Sequence, residues 1–194
     1  LTDVTGVQTC ALPISSDESG TYFYSSAGNH TLPANSTSHT DTGLSANTQY
    51  WAYARAYNAY GTSDSSNTYY VYAAANAPGA AACSNATATG MRANWAANGN
   101  PSGTEYCCEN ITAGTSSGWT TATSWSSTGL SPATSYSFRV KARNHDSQET
   151  GWTSLGSGTT LNVPPEAPSN MRVLGRSASS ISWAWDDKDR KSVV

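Results

Sequence analysis

The sequence predicts an all-β protein built from small antiparallel β-sandwiches in tandem, and three observations predict it. First, apolar and polar residues alternate over short runs, which is typical of strands with one buried face. Second, clusters of Gly, Asn, Ser and Pro separate these runs as turns do. Third, a block that begins at residue 43 recurs at residue 129, and this 86-residue spacing fits one small sandwich.

Composition excludes two classes of partner. Of the 194 residues 12% are charged, and the formal net charge is −3. Nucleic acids and anionic membrane surfaces attract proteins through clustered Lys and Arg, which this chain lacks. The apolar content comes as Ala, Tyr and Trp, with no run of about 20 apolar residues that could span a membrane. We therefore expect neither a nucleic-acid partner nor membrane insertion.

Both ends of the sequence resemble translated sequencing adapters. Residues 4–14 resemble one adapter read in frame, and the last six residues resemble the complementary adapter translated up to a stop codon. Adapter-derived sequence carries no information about the fold, as is true of any engineered scar. We interpret residues 1–14 and 189–194 as adapter artefacts and take 15–188 as the protein.

The repeat supplies landmarks for each domain. Residues 43–58 and 129–144 align without a gap and share Gly, Leu, Ser, Thr, Tyr, Ala and Asn in register. A third start follows the Pro-rich stretch 163–168, which echoes the shorter stretch 76–79. Pro clusters punctuate chains between folded elements, so these two stretches mark domain boundaries.

These residues resemble the fibronectin type III domain. In that family a Trp of strand B fills the core, and a Leu-x-Pro-x-Thr-x-Tyr turn leads into strand F, whose Tyr caps the corner. Trp95 and Trp183 match the core Trp, and Tyr136 closes a complete copy of the turn. Tyr50 closes a second copy, in which Ala46 replaces the Pro.

The resemblance implies tandem immunoglobulin-like sandwiches, one complete and two partial. Module one covers residues 15–75 and lacks strands A and B. Module two is complete over 77–162, and module three, over 164–188, holds only strands A and B. Within module two we expect strands near residues 91–96, 104–110, 119–126, 135–144 and 150–160.

Strand F decides which side chains face the core. Because successive strand residues point to opposite faces, Tyr136, Phe138, Val140 and Ala142 share the core face. Ser137, Arg139, Lys141 and Arg143 then face outward. The same register applied to module one puts Tyr50 and three alanines inside.

The outward face of module one is aromatic, which is unusual. It holds Trp51, Tyr53 and Tyr57 of strand F, and Tyr22 and Tyr24 of strand C, with strand G adding some of Tyr69, Tyr70 and Tyr72. Such a face suits stacking on sugar rings or docking a protein. Packing against a neighbouring module, or cross-strand pairs that stabilise an Ala-cored sandwich, are the structural alternatives.

The interior has an odd number of cysteines, Cys83, Cys107 and Cys108. Only one of the adjacent pair can face the core, and alternation with Tyr106 places Cys108 inside. A bridge from Cys83 to one of them is possible, but a free buried thiol is the favoured interpretation. No cysteine spacing matches a zinc site.

The sequence offers no catalytic constellation. His30, His39 and His145 lie in polar turn sequence and are expected to be solvated. Glu105 and Glu109 share a strand face about 13 Å apart, too far for the usual glycosidase pair. We expect no catalytic residue, cofactor or metal site, and no enzyme activity.

The sequence therefore favours non-catalytic spacer or binding modules of a larger extracellular protein, secreted or at the cell surface. One alternative is accessory modules of a carbohydrate-active enzyme whose catalytic domain lies outside this sequence. Another is an adhesion or receptor ectodomain that binds a protein ligand. The expected partners are neighbouring modules, with polysaccharide or a surface protein as candidate ligands of the aromatic face.

Overall fold

A computed structural model describes residues 17–187, so both adapter-like ends lie outside the described residues. Within that range the regular structure consists of fourteen strands in antiparallel sheets. This confirms the all-β class predicted from alternation and turn residues. No helix in the described range is long and apolar enough to cross a membrane.

The first sheet belongs to module one. Its core face carries Phe23 of one strand and Ala52, Ala54 and Ala56 of another, all buried. The order is β2-β1-β3-β4, and β5 also pairs with β3. The strands are β1 (Gly20–Ser25), β2 (Gly28–Pro33), β3 (Gln49–Asn58), β4 (Gly61–Thr62) and β5 (Tyr69–Tyr72).

Module two is a sandwich of two sheets around one core. The sheets have the orders β10-β7-β6 and β12-β11-β8-β9. Trp95 and Tyr106 lie buried between them beside Phe138, Val140 and Leu155. The strands are β6 (Gly79–Ser84), β7 (Gly90–Ala96), β8 (Glu105–Asn110), β9 (Thr115–Thr120), β10 (Ser124–Thr128), β11 (Ser135–Arg143) and β12 (Thr153–Thr159).

The expectation of one strand over residues 119–126 is wrong. Trp119 lies on β9 in the four-stranded sheet, whereas Trp125 lies on β10 in the other sheet. Between them the chain turns, and the Ala122 amide donates to the Thr120 hydroxyl at 3.1 Å. Alternation continues across this crossing, so the sequence pattern alone cannot locate it.

Strand F, which is β3 in module one and β11 in module two, is anchored in the same way in both modules. The backbone amide of Ser131 donates to the Tyr136 hydroxyl at 2.8 Å, and the amide of Ser45 donates to the Tyr50 hydroxyl at 2.9 Å. In both modules the tyrosine hydroxyl therefore accepts from the backbone amide five residues earlier, which caps the corner. Tyr136 is buried, whereas Tyr50 is half-buried.

The last two strands, β13 (Ser169–Arg176) and β14 (Ile181–Asp186), form a hairpin that is a two-stranded sheet by itself. Trp183, the second match to the core Trp, is 53% exposed there. Within residues 17–187 the hairpin pairs with no other strand, so the structure places Trp183 outside any core that it describes.

Modules one and two meet through a polar junction. The buried amide of Asn47 donates to the Thr104 hydroxyl at 2.8 Å and accepts from the His145 backbone amide at 2.9 Å. The buried Asn144 amide donates to the carbonyl of Tyr72 at 3.2 Å, and the Tyr72 ring stacks on His145. The side-chain contacts fix the position of β5 against the β11–β12 turn.

The cysteines follow the predicted alternation. Cys108 is completely buried, Cys107 is half-buried, and both are free thiols, as is Cys83, in the described part of the chain. Burial raises the pKa of the Cys108 thiol to about 12. Since the thiolate is the reactive form, Cys108 is both inaccessible and unreactive at neutral pH.

Tyr136→Phe removes the corner hydrogen bond and leaves the ring in place. We expect the free energy of unfolding of module two to fall by about 1 kcal/mol, the usual net value of one such bond. Urea unfolding of the full chain followed by tryptophan fluorescence measures this. An unchanged midpoint would show that the corner does not hold strand F.

Iodoacetamide at pH 8 is expected to modify Cys107 slowly and to leave Cys108 unmodified. Burial raises the pKa of both thiols, but Cys108 is completely buried and its pKa is raised to about 12, whereas Cys107 is only half-buried. Tandem mass spectrometry distinguishes the two neighbouring residues. In urea both should react, which serves as the control. Modification of Cys108 in the folded chain would contradict the assigned face of β8.

Candidate functional site: an aromatic face on module one

The aromatic residues predicted on module one lie on one side of its sheet. β1 and β3 pair antiparallel, with Tyr24 opposite Tyr53 and Gly20 opposite Tyr57. Directly paired residues point to the same side of a sheet, and Phe23, one position away, points to the core. The five residues of this aromatic face are Tyr22, Tyr24, Trp51, Tyr53 and Tyr57.

The five rings form a continuous series across two strands. Trp51 lies 5.9 Å from Tyr53, centroid to centroid, and Tyr53 lies 5.0 Å from Tyr24. Tyr24 is 6.4 Å from Tyr22, which stacks on Tyr57 at 4.3 Å. Interplanar angles of 11° to 18° in three of these pairs show that the neighbouring rings are nearly parallel. The face is thus one packed array.

This packing leaves one end of the array open. The four tyrosines are half-buried, while Trp51 is 36% exposed. On β5, Tyr70 lies opposite Trp51 and is exposed, so it extends the array at that end. Tyr69 lies on the other side of the sheet, and the Tyr72 ring stacks on His145 in the junction between the modules.

The aromatic face has little charge. On this side of the described strands β1 to β5, Arg55 is the one charged residue, and its Nε donates to the Ser63 carbonyl at 2.8 Å. The guanidinium is thereby tied to the backbone beside β4. The face is therefore aromatic rather than charged.

The equivalent face of module two is built differently. Arg139 lies 4.2 Å from the centroid of the Trp152 ring, Arg143 lies 4.3 Å from that of Trp119, and Lys141 lies between the two rings. Such cation–π contacts stabilise by about 0.5–1 kcal/mol each at exposed sites. Sequence alternation found the three cations but missed both tryptophans, which come from other segments of the chain.

The carboxylates on that face are also engaged. Glu109 pairs with Arg139, and Glu105 pairs with Arg143, each at 2.7 Å. Both glutamates lie on β8, on the outward side as predicted. Each is the ion-pair partner of an arginine on β11.

Two histidines depart from the sequence expectation in different ways. His30 is exposed as expected, but it lies on β2 and not in a loop. His39 is half-buried, and its ring lies 4.7 Å from the ring of buried Phe23. Both Nε2 atoms lie within 4 Å of the Asp41 carboxylate. These three residues could hold a metal ion, and they lie on the opposite side of the sheet from the aromatic face.

The paired sheets, the buried Trp95 and the repeated tyrosine corner define a tandem array of immunoglobulin-like β-sandwich modules. No family model matches the chain, and no curated protein sequence matches it. A two-domain fibronectin type III segment of chicken tenascin matches with a TM-score of 0.50 and 20% identity, over 76% of this chain and 86% of that one. The chain has the tandem fibronectin type III fold, which confirms the resemblance inferred from its sequence.

Two further solved arrays match less well. The central fibronectin III array of RIM-binding protein gives a TM-score of 0.35 at 17% identity, covering 91% of this chain and 71% of that one. The FN1–FN3 domains of chicken CNTN1 give a TM-score of 0.36 at 17% identity, covering 77% of this chain and 60% of that one.

Gly20→Ala should disrupt the end of the aromatic face. A Cβ at Gly20 would overlap the Leu32 carbonyl oxygen and would lie 2.6 Å from the Tyr57 hydroxyl. We expect a loss of about 1–3 kcal/mol in the unfolding free energy of module one, as for other overpacked sites. Gly151→Ala is the control, since a Cβ there meets nothing within 4 Å. Equal stability of the two variants in urea would contradict this packing.

Proposed function

We propose that the chain is a non-catalytic spacer and binding array of a larger secreted or cell-surface protein, in which the aromatic face of module one binds the ligand. The observation that carries the proposal is the contrast between two equivalent faces. In module two the outward side chains form a ladder of ion pairs and cation–π contacts, whereas in module one they form an array of aromatic rings that ends in Trp51 beside the exposed Tyr70.

The ligand that best fits this face is a neutral polysaccharide. Sugar rings have apolar faces rimmed by hydroxyl groups, and they stack on Trp and Tyr rings that expose a flat surface. Trp51 offers such a surface at the open end of the array, and the Tyr hydroxyls supply hydrogen-bonding groups. Arg55 is the one charged residue on this side of the described strands, so nearly all of the surface offered to a ligand is uncharged.

The inner rings of the array have a second role in this proposal. The inner rings stack as two cross-strand pairs, Tyr22 with Tyr57 and Tyr24 with Tyr53. Pairs of this kind stabilise a sheet by about 0.2–1 kcal/mol each. They hold the array together, while the Trp51 end remains available for binding.

The secreted setting rests on composition, namely few Lys and abundant Ser, Thr and Asn. The alternative role, as accessory modules of a carbohydrate-active enzyme, uses the same polysaccharide face. The two differ only in the domains that accompany these modules in the parent protein.

The test is retention of the full chain on insoluble neutral polysaccharides such as cellulose, chitin and starch. We expect retention by at least one of them, and at least tenfold weaker binding after Trp51→Ala. The matched control is Trp152→Ala in module two, because Trp152 is 37% exposed, nearly the same as Trp51, but lies in the cation–π ladder.

Two results would contradict the proposal. One is that no polysaccharide retains the parent chain. The other is that Trp51→Ala binds as well as the parent while circular dichroism and melting show an intact fold. In the second case the array would serve only to stabilise the sheet.

A further inference from the structure

The core side of module one carries a cluster of three residues that differ in chemistry from their surroundings. His30 pairs with Phe23 across β1 and β2, so its side chain lies on the core side. The segment that follows β2 brings His39 against the same Phe23, and the two imidazole rings lie 4.1 Å apart. Asp41, two residues further along, completes the His30/His39/Asp41 cluster.

The donor atoms of the cluster converge. Nε2 of His30 lies 3.8 Å from Oδ1 of Asp41, and Nε2 of His39 lies 3.4 Å from the same oxygen. One donor atom from each residue lies within 4.8 Å of the other two. A tetrahedral ion with bonds of about 2.0–2.2 Å separates its ligand atoms by about 3.3–3.5 Å. The cluster thus needs only a small contraction to enclose an ion.

Burial provides a second observation. Nε2 of His39 is buried, and its 3.4 Å contact with Oδ1 of Asp41 does not form a hydrogen bond, so this nitrogen has no hydrogen-bond partner among the described residues. The Asp41 side chain beside it is only 9% exposed, and that of His39 is 17% exposed. A buried polar atom without a partner destabilises the fold, so a native structure normally gives it one. A metal ion at the centre of the cluster would be that partner.

The residues of module two that correspond to His39 and Asp41 have only a structural role. In the repeat, His39 and Asp41 align with Trp125 and Ser127, and each pair comes just before a Thr-Gly-Leu sequence. Trp125 packs its edge on Phe138, and the Ser127 hydroxyl accepts from the Asn110 amide at 3.1 Å. Module one replaces this apolar and neutral pair with an imidazole and a carboxylate, which are metal ligands.

We propose that His30, His39 and Asp41 form a binding site for a divalent transition-metal ion of the zinc class. Two imidazoles and one carboxylate are a donor set that suits Zn²⁺ and leaves a fourth position open. His30 is the exposed member, at 43%, so an ion can enter from its side. The bound ion would tie the segment after β2 to the sheet and thereby stabilise the core side of module one.

The test uses the full chain, whose only histidines are His30, His39 and His145. Zn²⁺ is added at pH 7 while the histidine ring protons are followed by NMR, each assigned from a single His→Gln variant. We expect one equivalent of Zn²⁺ to shift the signals of His30 and His39 and to leave His145 unchanged. Asp41→Asn, which keeps the side-chain shape, should weaken binding at least tenfold, whereas His145→Gln should bind like the parent.

Three results would overturn the proposal. The first is that no histidine signal shifts saturably up to 1 mM Zn²⁺. The second is that folded Asp41→Asn binds Zn²⁺ with the same affinity as the parent chain. The third is that the His145 signals shift as much as those of His30 and His39. Substitution of Co²⁺ provides a further check, because a thiolate-to-cobalt charge-transfer band would assign the ion to the cysteines. The parent spectra decide the question even if a variant fails to fold.

Discussion

The antiparallel pairing of strand F with strand C is the constraint on which the rest of the structure depends. In module one these strands are β3 and β1, and in module two they are β11 and β8. In module one the pairing sets Phe23 opposite Ala54, and in module two it sets Cys108 opposite Val140. Because side chains alternate between faces, a slip of one residue would bring the aromatic or charged side of strand F into the core. The tyrosine corner at the start of strand F opposes that slip by fixing the strand to its own turn in both modules.

The size of the strand F side chains explains why the two modules have different interiors. Phe138 and Val140 fill the core of module two together with Trp95 and Tyr106. At the corresponding positions module one has only Ala52 and Ala54, which leave space above the sheet. That space is occupied by rings from neighbouring segments, Phe23 and His39. A core filled in this way gains less from apolar burial, so it depends more on its cross-strand ring pairs and on the polar cluster.

Most of the fold and part of the site could be predicted from the sequence. Alternation identified β7, β8 and β11, the inward Cys108 and the five aromatic residues, because these features depend on local periodicity. The crossing between β9 and β10 could not be found, since alternation continues through it. His39 was missed because the segment that carries it forms no strand, and its position depends on packing against Phe23. Trp119 and Trp152 were missed because they reach strand F from other parts of the chain.

The two outward faces show how an array of this kind can diversify. β3 and β11 share a pattern of buried positions, yet one presents aromatic rings and the other presents a ladder of cations and tryptophans. The alternate positions that face solvent contribute nothing to the fit between the sheets. A module of this kind can therefore present a different surface through substitutions on one side of two strands, while the alternation that places strand F in its sheet stays the same.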